Sequence, residues 1–341
     1  MKRLITTSLQ IALTAALLYW VLHDPAKRAA MADSLRAAKP EWLAAALVCI
    51  GLGFGLQIVR WNWLLKTLDI ALPPLRVVRL YFVGLFFNLF IPGGTGGDLV
   101  KIYYTAREKP DQKYGAAMSV ILDRVFGMLA LILIGGVIGT LFFHALMATP
   151  ITRGMLFMVA GIFAASLAVV ILAWIVEAFQ LAGRIPAWMP LRHSILELAA
   201  GFSAVARRPR TVLACIGISL PAHGLLFLCF YCVARALTDQ LSLAAIFSVL
   251  PITQTIASLP ISFGGLGVRE EAFQQLLGTL YHTPIDKAAL ISLGGYSMAL
   301  IWGLAGGAVY LTYRTSQGGK VSLHAARQEA ETLEHDLEKS P

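Results

Sequence analysis

Charged residues within apolar stretches are the positions of this sequence best suited to chemistry. Arg60 lies late in one apolar run, and Asp123 and Arg124 lie about two helical turns into another. A bare ion in hydrocarbon is costly, so each of these side chains must have a partner or face a wet cavity. The three residues could bind charged parts of a ligand during its passage, or they could form a purely structural ion network.

A glycine-rich motif that occurs twice supplies further candidates. Each copy has a proline, a Gly-Gly pair four and five positions later, and a cation nine positions later. The copies span residues 88–101 and 258–271 and are 168 positions apart, close to half the chain, as in a duplicated architecture. The candidate site residues are Asn88, Pro92, Gly93, Gly94, Gly96, Gly97, Asp98 and Lys101 in the first copy, and Pro260, Ser262, Gly264, Gly265, Gly267, Arg269 and Glu270 in the second.

The chemistry of this motif follows from its broken backbone. Proline interrupts a helix, and glycines expose peptide groups that lipid cannot satisfy, so such a segment at membrane depth must be enclosed or line a cavity. We interpret both copies as re-entrant helical hairpins whose tips meet near the middle of the membrane. The first N–H groups of each returning helix would form a seat for a phosphate or carboxylate. Two glycine-rich loops in water are the alternative interpretation.

The charged side chains are expected to pair between elements. Neighbouring residues on a helix point in different directions, so Asp123 and Arg124 should each have another partner. Lys101 and Arg269 could pair with a nearby acid or with a ligand anion. The isolated polar residues His223 and Gln254 are predicted to have structural roles. The candidate partners are Arg60 or Lys101 for Asp123, and Asp98 or Glu270 for Arg124.

The elements that position these residues are predicted from composition. The chain of 341 residues is 57% hydrophobic and 14% charged, more apolar than one water-soluble core can accommodate. We predict an all-α polytopic membrane protein with about six full crossings and two re-entrant hairpins related as an inverted repeat. Its transmembrane domain covers residues 1–313, followed by a hydrophilic tail at 314–341. The predicted crossings are residues 4–22, 42–65, 115–146, 154–176, 211–236 and 288–313, and the shorter runs before the motifs are 77–91 and 243–259.

The distribution of basic residues predicts the orientation. With the N-terminus inside, sixteen Lys and Arg residues lie in inner segments before the tail, and eight lie in outer segments. The positive-inside rule therefore predicts a multi-pass protein of the bacterial inner membrane with both termini cytoplasmic. Three full crossings separate the motifs, so the first hairpin would enter from the cytoplasm and the second from outside. The run at 4–22 is predicted to be an uncleaved helix, with a cleaved signal peptide as the alternative.

The sequence lacks the residues that several classes of function require. The sequence has no P-loop, dinucleotide fingerprint or His/Cys cluster with metal-ligand spacing. We therefore predict no catalytic residues, no metal and no cofactor, and we expect that the protein is not an enzyme. The net charge of +9 is spread over loops, which argues against nucleic acid as a partner.

Three segments, residues 87–98, 121–127 and 259–270, resemble the flippase-like transmembrane family, which is named for the membrane domain of lysylphosphatidylglycerol synthases. The resemblance covers nearly the whole chain to about residue 313. It implies a module that moves lipids. In the family's best-known members this domain exposes aminoacylated phospholipid on the outer leaflet, while a separate cytoplasmic domain makes that lipid.

We expect no synthase domain after residue 313, so the resemblance implies the lipid-moving module alone. Membrane lipids are the implied partners, with a lipid-synthesising enzyme on a separate chain as a further candidate. The expected substrate is a phospholipid or another polar-headed amphiphile, including isoprenoid- or hopanoid-related lipids. The alternatives are a small-solute secondary transporter, a membrane-embedded transferase and an assembly subunit. The acids Asp98, Asp123 and Glu270 would contact cationic parts of the headgroup. The cations Arg60, Lys101, Arg124 and Arg269 would contact its anionic parts.

Overall fold

The computed structural model describes residues 32–88, 96–178, 205, 207–238, 241–259 and 265–313, and within these ranges the regular structure is helical. The predicted all-α fold is therefore confirmed. The predicted crossing at 4–22 and the tail at 314–341 lie outside the described residues. The main helices are α1 (Pro40–Thr67), α2 (Pro74–Phe87), α3 (Gly96–Glu108), α4 (Lys113–Leu141), α5 (Pro150–Ala178), α6 (Pro209–Leu237), α7 (Leu243–Ala257), α8 (Val268–Tyr281) and α9 (Ile285–Thr312).

Five helical stretches are long and apolar enough to cross a membrane, and they are the counterparts of the other five predicted crossings. Large apolar side chains such as Leu133, Phe157 and Leu172 are exposed on their outer surfaces. A surface of this kind belongs in lipid rather than in water. The five stretches are Pro40–Thr67, Pro110–Leu141, Pro150–Ala168, Pro209–Leu237 and Ile285–Thr312.

The crossing predicted as one run over residues 115–146 begins and ends earlier in the structure. Helix α4 ends at Leu141, and a separate turn (Phe143–Leu146) follows. Gly135, Gly136 and Gly139 lie in the last two turns of α4, where their low helix propensity weakens the helix. Apolar content alone therefore placed the end of this helix five residues too late.

Prolines and small caps set where several helices begin. Proline lies in the first turn of α1, α2 and α6, where its missing N–H has no helical acceptor to lose. Helix α7 begins after Ser242, whose Oγ accepts the Ala245 N–H at 3.2 Å. These signals fix the starts of the elements that flank the two motifs.

Helices α1 and α6 form an antiparallel pair along their whole length. At one end the Lys39 N–H donates to the Ala236 carbonyl at 3.1 Å. At the other end the Arg208 guanidinium donates to the Thr67 carbonyl at 2.8 Å. The start of each helix thus lies beside the end of the other. This pair gives the molecule two distinguishable ends, against which the other elements can be placed.

Helix α9 packs closely against α2 and α6 through glycines. A Cβ at Gly295 would lie 2.6 Å from the Phe230 ring, and one at Gly306 would overlap the carbonyl oxygen of Phe82. Real Cβ atoms do not approach other atoms this closely, so side chains at these positions would force the helices apart. Helix α9 therefore links the first motif region, which contains α2, to the central pair.

Candidate functional site

The first motif forms a helical hairpin made of α2 and α3. Near its tip, Gly84 and Gly97 are in close contact, and the Gly97 N–H donates to the Asn88 side-chain oxygen at 2.8 Å. At the other end, Arg76 of α2 donates a hydrogen bond to Glu108 of α3. An early residue of α2 thus meets a late residue of α3, so the two helices are antiparallel and the chain returns to the level where α2 began.

A group of five ionic side chains lies beside this hairpin, four of them buried and the fifth, Arg124, exposed. Arg60 Nε is 2.7 Å from Asp123 Oδ1, and Lys101 Nζ is 3.9 Å from Asp123 Oδ2. Asp98 bridges the other two cations, 3.5 Å from Lys101 Nζ and 2.5 Å from Arg124 Nε. These five residues, from α1, α3 and α4, are here called the first charge cluster. It holds three cations and two carboxylates.

Neighbouring groups support the cations of the first charge cluster. Arg60 Nη1 donates to the Ser219 hydroxyl on α6 at 2.7 Å. Lys101 Nζ lies 5.1 Å from the ring centroid of Trp61 and 5.2 Å from that of Tyr81. An ammonium over an aromatic face is stabilised by the negative potential of the ring. The two buried cations, Arg60 and Lys101, therefore have a favourable environment within an otherwise apolar bundle.

The second motif also leads into a helical hairpin, made of α7 and α8. Gly265 has φ +74°, a left-handed conformation that favours glycine, and a Cβ there would lie 2.8 Å from the Ala257 carbonyl oxygen. The Ser248 and Tyr281 hydroxyls are 2.8 Å apart. The end of α7 meets the start of α8, and the end of α8 meets the first half of α7. This hairpin is therefore antiparallel as well.

Glu270 organises the ionic groups at the start of α8. Its Oε1 accepts hydrogen bonds from Arg269 Nη2 at 3.0 Å and from the Ser292 hydroxyl at 3.0 Å, and its Oε2 accepts the Gly267 N–H at 2.6 Å. The guanidinium carbon of Arg269 lies 4.3 Å from the ring centroid of Tyr296. Arg269, Glu270 and Ser292 are here called the second charge cluster. All three residues are buried.

The two hairpins open toward opposite ends of the α1/α6 pair. Helix α2 begins shortly after α1 ends, and Gln112, just after α3, donates from its side chain to the Asp69 carbonyl at the same end. Helix α7 begins shortly after α6 ends, and α9 begins shortly after α8 ends. The end of α6 lies beside the start of α1. The first hairpin thus opens where α1 ends, and the second opens where α1 begins.

A cavity of about 280 Å³ lies between the central pair and the second hairpin. One stripe of α1, from Ile50 to Arg60, forms a wall about 15 Å long. Arg60 of the first charge cluster and Arg269 of the second both line the cavity. The two clusters, which come from different halves of the chain, therefore border one interior space. The other lining residues are Phe54, Gln57, Gly127, Ala222, His223, Leu226, Phe230, Gln254, Gly295, Tyr296 and Ala299.

The predicted ion pairs are confirmed for the first charge cluster. Asp123 pairs with both of its candidate partners, Arg60 and Lys101, and Arg124 pairs with Asp98 rather than with Glu270. Glu270 instead pairs with its neighbour Arg269. Other candidate residues lie outside the described residues, where their positions stay predictions: Pro92, Gly93, Gly94, Pro260, Ser262 and Gly264.

The predicted anion seat at the start of the returning helices is partly filled by the protein's own side chains. Asn88 accepts the Gly97 N–H, and Glu270 accepts the Gly267 N–H. Side chains of the protein therefore already satisfy one amide at the start of each helix, as helix caps do. Gly96, at the first position of α3, is buried. These two amides are not open to a ligand, and the guanidinium groups facing the cavity are the better candidates.

Sequence reasoning missed polar residues that line or support the cavity. Tyr296 and its neighbour Ser292 are four positions apart on α9, and Gln57 and Arg60 are three apart on α1, so each pair lies on one helix face. Polar residues at this spacing in an apolar helix were the available signal. The Nε2 of His223 lies 2.9 Å from the Gly127 carbonyl oxygen, a contact of the structural kind that was predicted for this residue. His223 also lines the cavity, which was not predicted.

The all-helical architecture, the apolar outer surfaces and the enclosed charge clusters define a multi-pass membrane protein. The family described as lysylphosphatidylglycerol synthase TM region matches residues 7–307, and the chain belongs to that family. The UPF0104 membrane protein PH1989 of Pyrococcus horikoshii is similar to this chain, with 22% identity over 318 residues. That similarity covers 86% of this chain and 91% of the relative.

Proposed function

We propose that this protein translocates a phospholipid or another polar-headed amphiphile across the membrane, and that the polar head passes through the cavity between the two charge clusters. The observation that carries this proposal is that one cavity is bordered by Arg269 of the second hairpin and by Arg60 of α1. Arg60 pairs with Asp123, which also pairs with Lys101 of the first hairpin. A polar chamber near the interface of two oppositely directed repeats is the arrangement used by transporters built from inverted repeats.

The dimensions of the hairpin helices support a re-entrant arrangement. Helices α2, α3, α7 and α8 have 14, 13, 15 and 14 residues. Each is therefore about 20 Å long, shorter than the hydrocarbon core of about 30 Å. In the proposal both tips lie within the membrane, where their broken backbone is enclosed by protein.

An amphiphile fits the cavity better than a fully water-soluble solute. The cavity volume of about 280 Å³ suits a polar head and not a complete lipid. The outer faces of the surrounding helices are apolar. Acyl or isoprenoid tails can remain in the bilayer while the head crosses. The protein would thereby lower the free-energy cost of moving a polar headgroup through the hydrocarbon core. The family's name also connects it with a lipid-modifying enzyme.

The proposed location is the bacterial inner membrane. In this location, the end of the molecule at which α1 ends and the first hairpin opens would face the cytoplasm. Basic residues concentrate at that end, in the last turns of α1 and α3, between α3 and the start of α4, and around the start of α6. The positive-inside rule assigns such an end to the cytoplasm. These residues are Lys66, Arg107, Lys109, Lys113, Arg207, Arg208 and Arg210.

Reconstitution tests the proposed function. The full chain is placed in liposomes that contain a fluorescent phospholipid, and dithionite reduction of the outer leaflet reports translocation. We expect faster loss of fluorescence than in protein-free liposomes, and at least tenfold slower translocation for Asp98→Asn and Arg269→Ala. The control is Arg153→Ala, which changes an exposed arginine outside both clusters. Rates equal to those of protein-free liposomes, with a folded protein, would contradict lipid translocation.

A further inference from the structure

The charged groups that face the cavity all have the same sign. Among the described lining residues, the ionised side chains are Arg60 and Arg269. Their carboxylate partners, Asp123 and Glu270, pair with them from behind and do not line the cavity. A ligand in this space therefore meets two guanidinium groups and no carboxylate from the described residues. The surroundings favour an anion and disfavour an ammonium group.

Each guanidinium retains donors for a ligand. Arginine has five N–H donors in a planar fork. Arg60 uses Nε for Asp123 and Nη1 for Ser219, and Arg269 uses Nε and Nη2 for Glu270. These bonds occupy two donors on each arginine. The remaining donors match the geometry of phosphate oxygens, which arginine binds well.

The arginines are also held in fixed positions before any ligand arrives. Arg269 is fixed by Glu270 and by the face of Tyr296, and Arg60 is fixed by Asp123 and Ser219. A preformed pair of donors loses little side-chain entropy when an anion binds. Polar groups without charge, His223, Gln57 and Gln254, complete the walls. The combination is a built site with room for a headgroup.

We propose that the cavity binds the phosphate of an anionic lipid headgroup through Arg60 and Arg269, and that it disfavours cationic, aminoacylated headgroups. This inference rests on the proposed function, because it names the class of lipid that the protein would move. It also departs from what the family resemblance implies: a lysylated head would bring ammonium groups next to two guanidinium groups. Net negative charge and a phosphate are the features recognised.

Binding to the purified full chain in neutral detergent tests the inference. The probes are phosphatidylglycerol, lysylphosphatidylglycerol, diacylglycerol and inorganic phosphate, with affinity measured by native mass spectrometry for the lipids and by calorimetry for phosphate. We expect phosphatidylglycerol to bind at least tenfold more tightly than lysylphosphatidylglycerol, and diacylglycerol not to bind. Tighter binding of the lysylated lipid, or equal binding of all three lipids, would overturn the inference. Inorganic phosphate bound as tightly as phosphatidylglycerol would overturn the headgroup assignment.

Two variants separate ligand binding from a structural role. Arg269→Gln and Glu270→Gln break the same ion pair, but only the first removes a cation from the cavity wall. We expect Arg269→Gln to weaken phosphatidylglycerol binding at least tenfold, and Glu270→Gln, which keeps the cation but loosens its position, to weaken binding clearly less. Equal weakening by both variants would mean that the pair acts only structurally and would overturn the inference. The double variant Arg269→Gln/Glu270→Gln has no unpaired charge. It should fold, and it should bind phosphatidylglycerol as weakly as Arg269→Gln does.

Failure of the inference and failure of the proposed function give different results. If the protein translocates lipids with no preference for anionic heads, the proposed function stands and the inference is wrong. If it binds phosphatidylglycerol through Arg269 but translocates no lipid in liposomes, the anionic site stands and the translocation proposal is wrong.

Discussion

The two charge clusters are built in different ways, although the sequence motifs beside them are alike. The first connects α1, α3 and α4 through ion pairs between residues far apart in the chain. The second is centred on adjacent residues, Arg269 and Glu270, with Ser292 as the contribution of α9. The first cluster therefore holds helices together, while the second mainly fixes one arginine at the start of α8. We expect the first to matter more for stability and the second more for ligand binding.

The largest effect on stability should come from Asp123→Asn. This substitution removes the carboxylate shared by Arg60 and Lys101, and it leaves Arg60 buried without its charged partner. Breaking a buried ion pair costs about 3–5 kcal/mol. We expect a clear loss of thermal stability in detergent, larger than that of Glu270→Gln. Asp111→Asn, at an exposed position, is the matched control. A smaller loss for Asp123→Asn than for Glu270→Gln would contradict the contrast between the clusters.

Substitutions at the hairpin tips should have the next largest effect. A Cβ at Gly97 would overlap the carbonyl oxygen of Gly84, and one at Gly265 would lie close to the backbone of Ala257. Overpacking of this kind costs about 1–3 kcal/mol. We expect Gly97→Ala and Gly265→Ala both to lower the unfolding temperature, the first through overlap with the Gly84 carbonyl and the second also through the positive φ at Gly265.

The control for the tip variants is Gly136→Ala, since a Cβ at Gly136 meets no atom within 4 Å. It should be neutral or slightly stabilising, because alanine has the higher helix propensity. If Gly97→Ala were as well tolerated as Gly136→Ala, the close contact between α2 and α3 would be wrong.

A smaller effect is expected from Lys101→Met in the first charge cluster. Its two ion pairs are long, at 3.5 and 3.9 Å, and without it Asp98 still has Arg124 while Asp123 still has Arg60. We expect a smaller loss than for Asp123→Asn, because no buried charge is left without a partner. Chemical denaturation in mixed micelles measures it. A loss as large as that of Asp123→Asn would show that Lys101, not Arg60, is the main partner of Asp123.

The smallest effect should come from Ser292→Ala in the second charge cluster. It removes one hydrogen bond to Glu270, which keeps Arg269 and the Gly267 amide. A single hydrogen bond contributes about 1 kcal/mol. We expect a shift of the unfolding temperature near the limit of detection and unchanged phosphatidylglycerol affinity. A marked loss of affinity would mean that α9 positions Arg269 through Ser292.

The contrast between the clusters also explains which features could be predicted from sequence. The crossings follow from apolar length, and the pairing of Asp123 with Arg60 follows from the cost of an unpaired ion in lipid. The contact of Ser219 with Arg60 and that of Tyr296 with Arg269 could not be predicted. They depend on how α6 and α9 are rotated and on their depth relative to distant helices, and no local pattern fixes these quantities.

The caps at the hairpin tips show a similar limit. Glycine and proline predicted a broken helix, and the structure agrees for Gly265 and Gly267, which both have positive φ. That Asn88 and Glu270 would occupy the exposed amides was missed. Glu270 lies three positions after Gly267, the spacing of a capping box, so this signal was present in the sequence. From the sequence, the Gly97 and Gly267 N–H donors were assigned to a ligand, although Asn88 and Glu270 already accept their hydrogen bonds.

Site-directed labelling tests most directly whether the two hairpins open on opposite faces of the membrane. Asp111 follows the first hairpin, Ile285 follows the second, and both side chains are exposed. Single cysteines at these positions, in a chain whose four native cysteines are replaced by alanine, are treated with an impermeant maleimide on intact and on permeabilised cells. We predict that Ile285→Cys is labelled in intact cells and Asp111→Cys only after permeabilisation. Labelling of both positions under the same condition would contradict the account.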